Sequence, residues 1–276
     1  YYLKAAATGP VTLEILDPKS KLVRRFASTD HAVPVAPKTL QIDPRWVRPS
    51  RSLQDGAGSH RFVWDLHYSP PEGAPGNYPI SAVYGDTPAA PSGPAVMPGT
   101  YTVRLTVGGK AFEQPLVIKM DPRVTTTAEG LEQRYALSMQ CYDGIKEIQI
   151  TLSRIRAVRK QLDNVRAKAG ELSTMIDAVE TKITAIEGSG MGGRRGALQQ
   201  REMSLGRAAG ELSRLLGILQ GADATPTTQA LAAVTTARKE LNDLLSRWTI
   251  VCEKDLDDIN AKLKAANLPA IDFTGK

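Results

Sequence analysis

The chain changes rhythm at Asp121-Pro122-Arg123. Before that point apolar residues recur at every second position in short runs; after it they recur in steps of three and four for about 150 residues. The change predicts two domains, 1–123 and 124–276, of α+β class overall. Val11-Thr12-Leu13-Glu14-Ile15-Leu16 alternates, ends in the turn-prone Asp17-Pro18-Lys19-Ser20, and is followed by Leu22 to Phe26, which predicts a hairpin. His60 to Tyr68 reads as a strand by the same rule. Thr100 to Val107 and Phe112 to Met120 read as a second hairpin, because Gly108-Gly109 supplies the positive φ angles of a two-residue turn. With Tyr1 to Ala5 and a weaker run at Ile80 to Tyr84, the count reaches about seven short strands, the number of an immunoglobulin-like β-sandwich. The Pro-rich stretches 29–59 and 69–98 are long loops, either functional or pressed against another domain.

In the second half Thr126-Thr127-Ala128-Glu129 has the form of a capping box that starts a helix. Leu137, Cys141, Ile145, Ile148, Leu152, Ile155, Leu162 and Val165 then form one face of a helix running to about Lys168, roughly 60 Å long at 1.5 Å per residue. Gly170 breaks the pattern. A shorter helix carries Leu172, Ile176, Val179, Ile183 and Ile186 and ends at the Gly-rich tract 188–193. A third spans about Ala197 to Gln220 and stops at Gly221. The fourth follows Thr225-Pro226, with Pro at the tolerated first position, and runs through Leu231, Leu241, Trp248 and Cys252 to Leu263. Two layouts fit: an antiparallel four-helix bundle whose short hairpin packs on the long pair, or one long broken hairpin. Gly206, Gly210 and Gly217 favour the bundle, since each costs ~1 kcal/mol in a helix unless it admits a neighbouring backbone.

The formal charge of +6 changes little, because its cations are dispersed among acids over both halves. No run tracks a phosphate backbone, so nucleic acid is not an expected partner. No stretch nears the ~20 apolar residues of a membrane span. The opening Tyr1-Tyr2-Leu3-Lys4 has neither an initiator Met nor a leader pattern, so the chain reads as part of a polypeptide that extends upstream.

Several runs carry a family likeness. The hairpin around Asp17, Gly58-Ser59-His60-Arg61-Phe62-Val63-Trp64-Asp65-Leu66, Pro98-Gly99-Thr100-Tyr101 through Leu105, and the exit Asp121-Pro122-Arg123 together resemble the carboxy-terminal region of large exported bacterial proteins with sortilin-like, BNR-repeat β-propellers, many labelled glycosyl hydrolases. The sandwich portion is also similar to the immunoglobulin-like module of flagellar hook-capping proteins, in which Trp-Asp and Pro-Gly-x-Tyr strands recur. The resemblance implies an exported, periplasmic or extracellular protein whose propeller lies upstream of Tyr1. It implies structural roles for Trp64, Asp65, Gly99, Tyr101, Asp121 and Arg123. The hydrolase label transfers to no residue here, since the chain has no propeller blade or Asp-box repeat.

Cys141 lies about thirteen residues into the first long helix and Cys252 a similar distance from the end of the last, so antiparallel packing would bring them level. In an exported protein a disulfide there would stabilise by up to ~4–5 kcal/mol. Two buried free thiols are the alternative.

No residue set reads as a catalytic centre, and no cofactor or metal is implied. His60, Asp65 and His67 tempt a metal reading, but strand alternation puts His60 on the other face from Asp65 and His67. Ser59 and Ser69 lack a nucleophile-elbow pattern. Asp255, Asp257 and Asp258 are the nearest to paired carboxylates, on a helix where such clusters are normally solvated. The basic run Arg154, Arg156, Arg159, Lys160, Arg166 and Lys168 reads as a solvated face or, less simply, a surface for an acidic partner.

The expected function is a non-catalytic structural or interaction module that braces the propeller of the same polypeptide and offers a bundle face for a homo-oligomer or protein partner. One alternative is a hydrolase fragment whose loops complete an active site in the propeller, with Trp46, His60 or Tyr78 lining it. Another, a carbohydrate-binding sandwich, requires Trp46 and Tyr84 to face solvent.

Overall fold

A computed structural model of the chain describes residues 1–31, 40, 42–48, 52–71, 78, 84–87, 89, 93–166, 170–188 and 202–273. It has mixed α and β content and divides into units Tyr1–Tyr135 and Ala136–Lys276.

In the first unit the strands are β1 (Tyr2–Leu3), β2 (Thr12–Leu16), β3 (Leu22–Ala27), β4 (Gly58–Ser59), β5 (Gly99–Val107) and β6 (Lys110–Ile118). β1 pairs with β4, and the other four form an antiparallel sheet in the order β3-β2-β5-β6. Gly108 and Gly109 have φ of 56° and 75°, the mirror-image turn whose twist matches flanking strands, and they fix the register Val107↔Lys110 through Gly99↔Ile118. One face of this sheet is wet: Arg104 on β5 lies 2.7 Å from Glu113 on β6 and 3.5 Å from Glu14 on β2, its direct cross-strand neighbours. The other face carries Leu13, Phe26, Leu105 and Val107, packed against Leu3, Val11, Leu53 and Phe62. Alternation thus produced a sheet with one dry face.

The strand expected at His60–Tyr68 does not form, apart from an isolated bridge His67↔Ala95. Local polar bonds replace it. The Asp65 carboxylate accepts from the His67 N–H at 3.2 Å, the His67 ring Nδ1 lies 2.6 Å from the Asp65 carbonyl, and Leu66 takes a left-handed φ of 60°. The candidate strand Ile80–Tyr84 lies outside the described residues except for Tyr84.

The helices are α1 (Ala128–Arg166), α2 (Ser173–Glu187), α3 (Leu205–Gln220) and a long C-terminal rod made of α4 (Thr228–Ile250), a π-helical segment (Val251–Leu256) and α5 (Asp257–Ala265). Thr127, not Thr126, lies at the start of α1: its hydroxyl accepts from the Gly130 N–H at 3.1 Å, which places Glu129 one position short of the reciprocal contact of a capping box. Thr227 similarly caps α4, so Pro226 stands before the cap instead of inside the first turn. The rod ends in a Schellman motif, with Asn267 at φ 55° and the Leu268 N–H donating to the Leu263 carbonyl at 2.9 Å. Beyond it, Asn260 and Gln161 each use both halves of a side-chain amide to hold the backbone of Ile271 and Asp272.

Helix directions follow from the contacts. Arg159 pairs with Glu180 and Glu187 and Arg166 with Asp177, so α2 runs antiparallel to α1. Gln220 donates to Ser138, and Leu212 lies over Gly144, so α3 also runs antiparallel to α1. Lys182–Asp255 and Lys262–Met175 set the C-terminal rod antiparallel to α2. The end of α2 meets the start of α3: a Cβ built on Gly188 falls 2.9 Å from the Ser204 Cβ. α2 and α3 therefore lie head to tail as one interrupted rod, not side by side as in the expected four-helix hairpin pair.

The glycines behave differently from expectation as well. A Cβ on Gly210 or Gly217 meets nothing within 4 Å, and one on Gly206 meets only the Glu187 carbonyl at 3.5 Å. The close approach is at Gly144, where a Cβ would lie 2.5 Å from the Arg238 guanidinium, 2.8 Å from Leu212 and 3.2 Å from Leu241. Gly144→Ala is expected to destabilise the chain by about 1–2 kcal/mol, overpacking outweighing improved helix propensity. Gly217→Ala is expected to stabilise it by up to ~1 kcal/mol. Denaturant unfolding of both variants checks the pair; a stabilising Gly144→Ala would remove the notch.

Candidate functional site

The densest set of polar and aromatic contacts among the described residues of the first unit gathers around Tyr101, where β5 begins. Its ring is buried and its hydroxyl donates to the Met97 carbonyl four residues upstream at 2.8 Å. Trp64 stands edge-on to it at 6.3 Å between centroids and donates its indole N–H to the His67 carbonyl. Beside them the hydroxyls of Tyr68 and Tyr135 lie 2.7 Å apart, and the Arg24 guanidinium donates to the Tyr68 carbonyl. Burial pushes the Tyr101 and Tyr68 phenols above their ordinary range, Tyr68 further so because of Tyr135. These phenols stay protonated, and that of Tyr101 acts as a donor. Tyr68, Tyr135 and Arg24 had no sequence signal beyond their residue type: Tyr135 is off the apolar stripe of α1, and its partner is 67 residues away.

The remaining predicted residues are held by local bonds. Arg123 donates from its backbone N–H and its guanidinium to Asp121, closing a turn at the change of pattern, and that contact holds the Asp121 carboxyl below the usual range. Gly99 pairs with Ile118 at the start of β5. His60 Nε2 lies 2.8 Å from the Gly56 carbonyl with its ring tilted against Tyr1, separate from Asp65 and His67. Trp46, on a 3-10 turn capped by Asp43, is half-buried, as is Tyr78, whereas Tyr84 is 75% exposed. Trp46 and Tyr84 thus do not present two open rings to a sugar. No group of three or more His, Cys, Asp or Glu able to hold a metal occurs among the described residues.

In the second unit the thiols are apart. Cys141 faces Arg238 and Glu211, whereas Cys252 lies near Arg154, thirteen residues further along α1. That is about 20 Å along the helix axis. Of the two alternatives, a disulfide and two buried free thiols, the structure has the second, because α1 and the C-terminal rod run parallel: Glu147 meets Arg238, and Arg154 lies further on, near Cys252. Burial pushes both thiols up to about 11, where they are poor nucleophiles.

The basic run of α1 is partly neutralised from α2. Arg159 sits between Glu180 and Glu187 and donates to the Thr184 hydroxyl, and Arg166 reaches Asp177 at 2.9 Å. Of the acidic cluster, Asp255 is held by Lys182 at 2.8 Å. No helix among the described residues is long and apolar enough to cross a membrane. No family model, curated protein or solved structure matches this chain.

Two outcomes follow from this geometry. Tyr101→Phe is expected to cost about 1 kcal/mol of unfolding free energy, because the Met97 carbonyl loses its donor. The thiols set a pH dependence. Unfolded thiols ionise near 9 and folded ones near 11, so their contribution is complete below pH 9 and falls as pH rises to 11, by up to ~2–3 kcal/mol per thiol. The difference in alkaline unfolding between the native chain and Cys141→Ala/Cys252→Ala measures it; parallel curves would refute it.

Proposed function

We propose that this chain is a non-catalytic structural and interaction module, belonging to a larger exported β-propeller protein whose propeller it braces. The observation that carries the reading is the fate of the motif residues. Trp64, Asp65, Gly99, Tyr101, Asp121 and Arg123 are spent on turn closure, strand pairing and aromatic packing, and none is left aimed into a cleft with a second reactive group. Such residues preserve a scaffold.

An immunoglobulin-like sandwich is the finer fold assignment within this proposal. Its support is the four-stranded antiparallel sheet with a dry face, the small β1–β4 pair contributing Leu3 to the core of that face, and the hydroxyl of Tyr101 bonded four residues back, as in the tyrosine corner of such domains. Export rests on the family resemblance. The buried free thiols neither require an oxidising compartment nor conflict with one.

The test uses the full-length native polypeptide. Its amino terminus is mapped, and the loops 29–59 and 69–98 are shortened in that context. Turnover by the upstream propeller should persist while its melting temperature falls. Loss of turnover with folding intact would move the chain to the hydrolase reading, and a native start near Tyr1 would remove the propeller altogether.

A further inference from the structure

The sheet β3-β2-β5-β6 has two edges, and among the described residues neither β3 nor β6 pairs with a further strand on its outer side. β6 is exposed along most of its length, yet Phe112 and Val117 are 57% and 59% open to solvent. The register aligns four rows across the sheet. They are Ala27, Thr12, Thr106, Ala111; Phe26, Leu13, Leu105, Phe112; Arg25, Glu14, Arg104, Glu113; and Arg24, Ile15, Val103, Gln114. Each row ends in residues that suit each other: small with small, Phe with Phe, Arg with Glu, Arg with Gln.

We propose that copies of this chain associate head to tail through these edges, β6 of one copy pairing antiparallel with β3 of the next. This goes beyond the bracing role and does not depend on it. Three features coincide at one register. The charge row alternates plus, minus, plus, minus and leaves Glu113 open at one edge and Arg25 at the other, so the next copy continues the alternation. On the opposite face the same pairing sets Phe112 against the neighbour's Phe26, continuing an apolar row. The backbone agrees as well. The Ser28 N–H donates to the Val11 carbonyl, so ladder alternation turns the Arg25 N–H and C=O away from β2; counting from the Gly108-Gly109 turn, those of Glu113 point away from β5. Strand direction is satisfied because β3 and β6 lie three antiparallel steps apart.

A two-fold pairing of β6 with itself lacks this match. The positions whose backbone faces outward are Ala111, Glu113, Pro115 and Val117, and none offers Glu113 a cation. The head-to-tail ladder is short. Pro115 has no N–H to give, and the Asp30 carboxylate already accepts the Ala27 N–H at 2.6 Å. Association is therefore weak and concentration-dependent, and the contact, being heterologous, extends beyond a dimer.

Sedimentation velocity on the whole chain over a concentration series tests this, with Arg25→Glu removing one edge and Glu113→Lys the other. The native chain should grow beyond dimers, and each variant alone should stay monomeric. An equimolar mixture of the two should associate again, since each retains the edge the other lacks and the two altered edges carry opposite charges. A native chain that stays monomeric to its solubility limit overturns the proposal. So does association insensitive to either substitution, or Arg25→Glu dimerising alone while Glu113→Lys does not, which would mean β6 pairing with itself. If a variant loses its native circular dichroism, amide exchange on the native chain decides: protection of the Arg25 and Glu113 N–H groups rises with concentration, and unchanged protection rejects the edge contact.

Discussion

The second unit depends on one apolar seam. From Leu137 to Val165 the buried residues of α1 make a stripe roughly 40 Å long, and among the described residues no other helix before the C-terminal rod is long enough to cover it. α2 and α3 each cover about half. Their order along the seam is forced: α2 leaves the far end of α1 after Gly170, so it covers the distal half, and α3 continues in the same direction over the proximal half. The C-terminal rod then closes the groove between them, contributing Val234, Leu241, Leu244, Leu256 and Leu263 to one continuous core. Exposed ion pairs such as Arg166–Asp177 and Lys182–Asp255 each contribute little stability, at most ~1 kcal/mol. Their consistent spacing has another consequence: a slip of one helical turn along α2 separates several pairs at once, so they select the register that the apolar stripe alone leaves loose.

The first unit obeys a different constraint. Beneath its sheet Leu3, Val11 and Leu53 pack with partly buried aromatic and aliphatic neighbours, and Ile15, Leu16, Val23 and Ala27 are buried as well. Between its strands, order comes from local polar closure. Asp17 accepts from the Lys19 and Lys21 N–H groups, Asp30 from Ala27, Asp43 from Arg45, Asp65 from His67 and Asp121 from Arg123. Each is an aspartate holding a backbone N–H a few residues away, which is how a loop-rich chain satisfies donors that a sheet or helix would otherwise take.

That division explains what could be read from the sequence. The two hairpins were legible because alternation and Gly108-Gly109 act over a few residues, and the helices because a stripe of three-and-four spacing has no other use. The segment 60–68 misled because its alternation is genuine; the side chains of Asp65 and His67 then take up the backbone, a competition that periodicity does not register. Thr126 and Thr127 are indistinguishable by type, so the cap was displaced by one. Helix direction was the larger gap. An apolar stripe specifies which face is buried but not which end is up, and the heptads of α3 read equally well in a hairpin with α2 or in line with it. The placement of Cys141 and Cys252 inherited that ambiguity, because parallel packing separates two cysteines that antiparallel packing would have brought level.

The candidate site was legible only in its residue types, and the reason bears on function. A catalytic centre needs a polar group held out of its most stable bonding pattern, such as a phenol made acidic, a thiol made nucleophilic or a carboxylate left unpaired. Here the perturbations run the opposite way. Burial raises Tyr68, Tyr101, Cys141 and Cys252, keeping them protonated, and the lowered Asp43, Asp121 and Glu211 are carboxylates locked to a neighbouring arginine. Each of these perturbations is accounted for by burial or by a contact that also holds the local structure. Among the described residues the outer edges of β3 and β6 stay unpaired, with Phe112 and Val117 open to solvent on β6, which is backbone and apolar surface that another strand could meet.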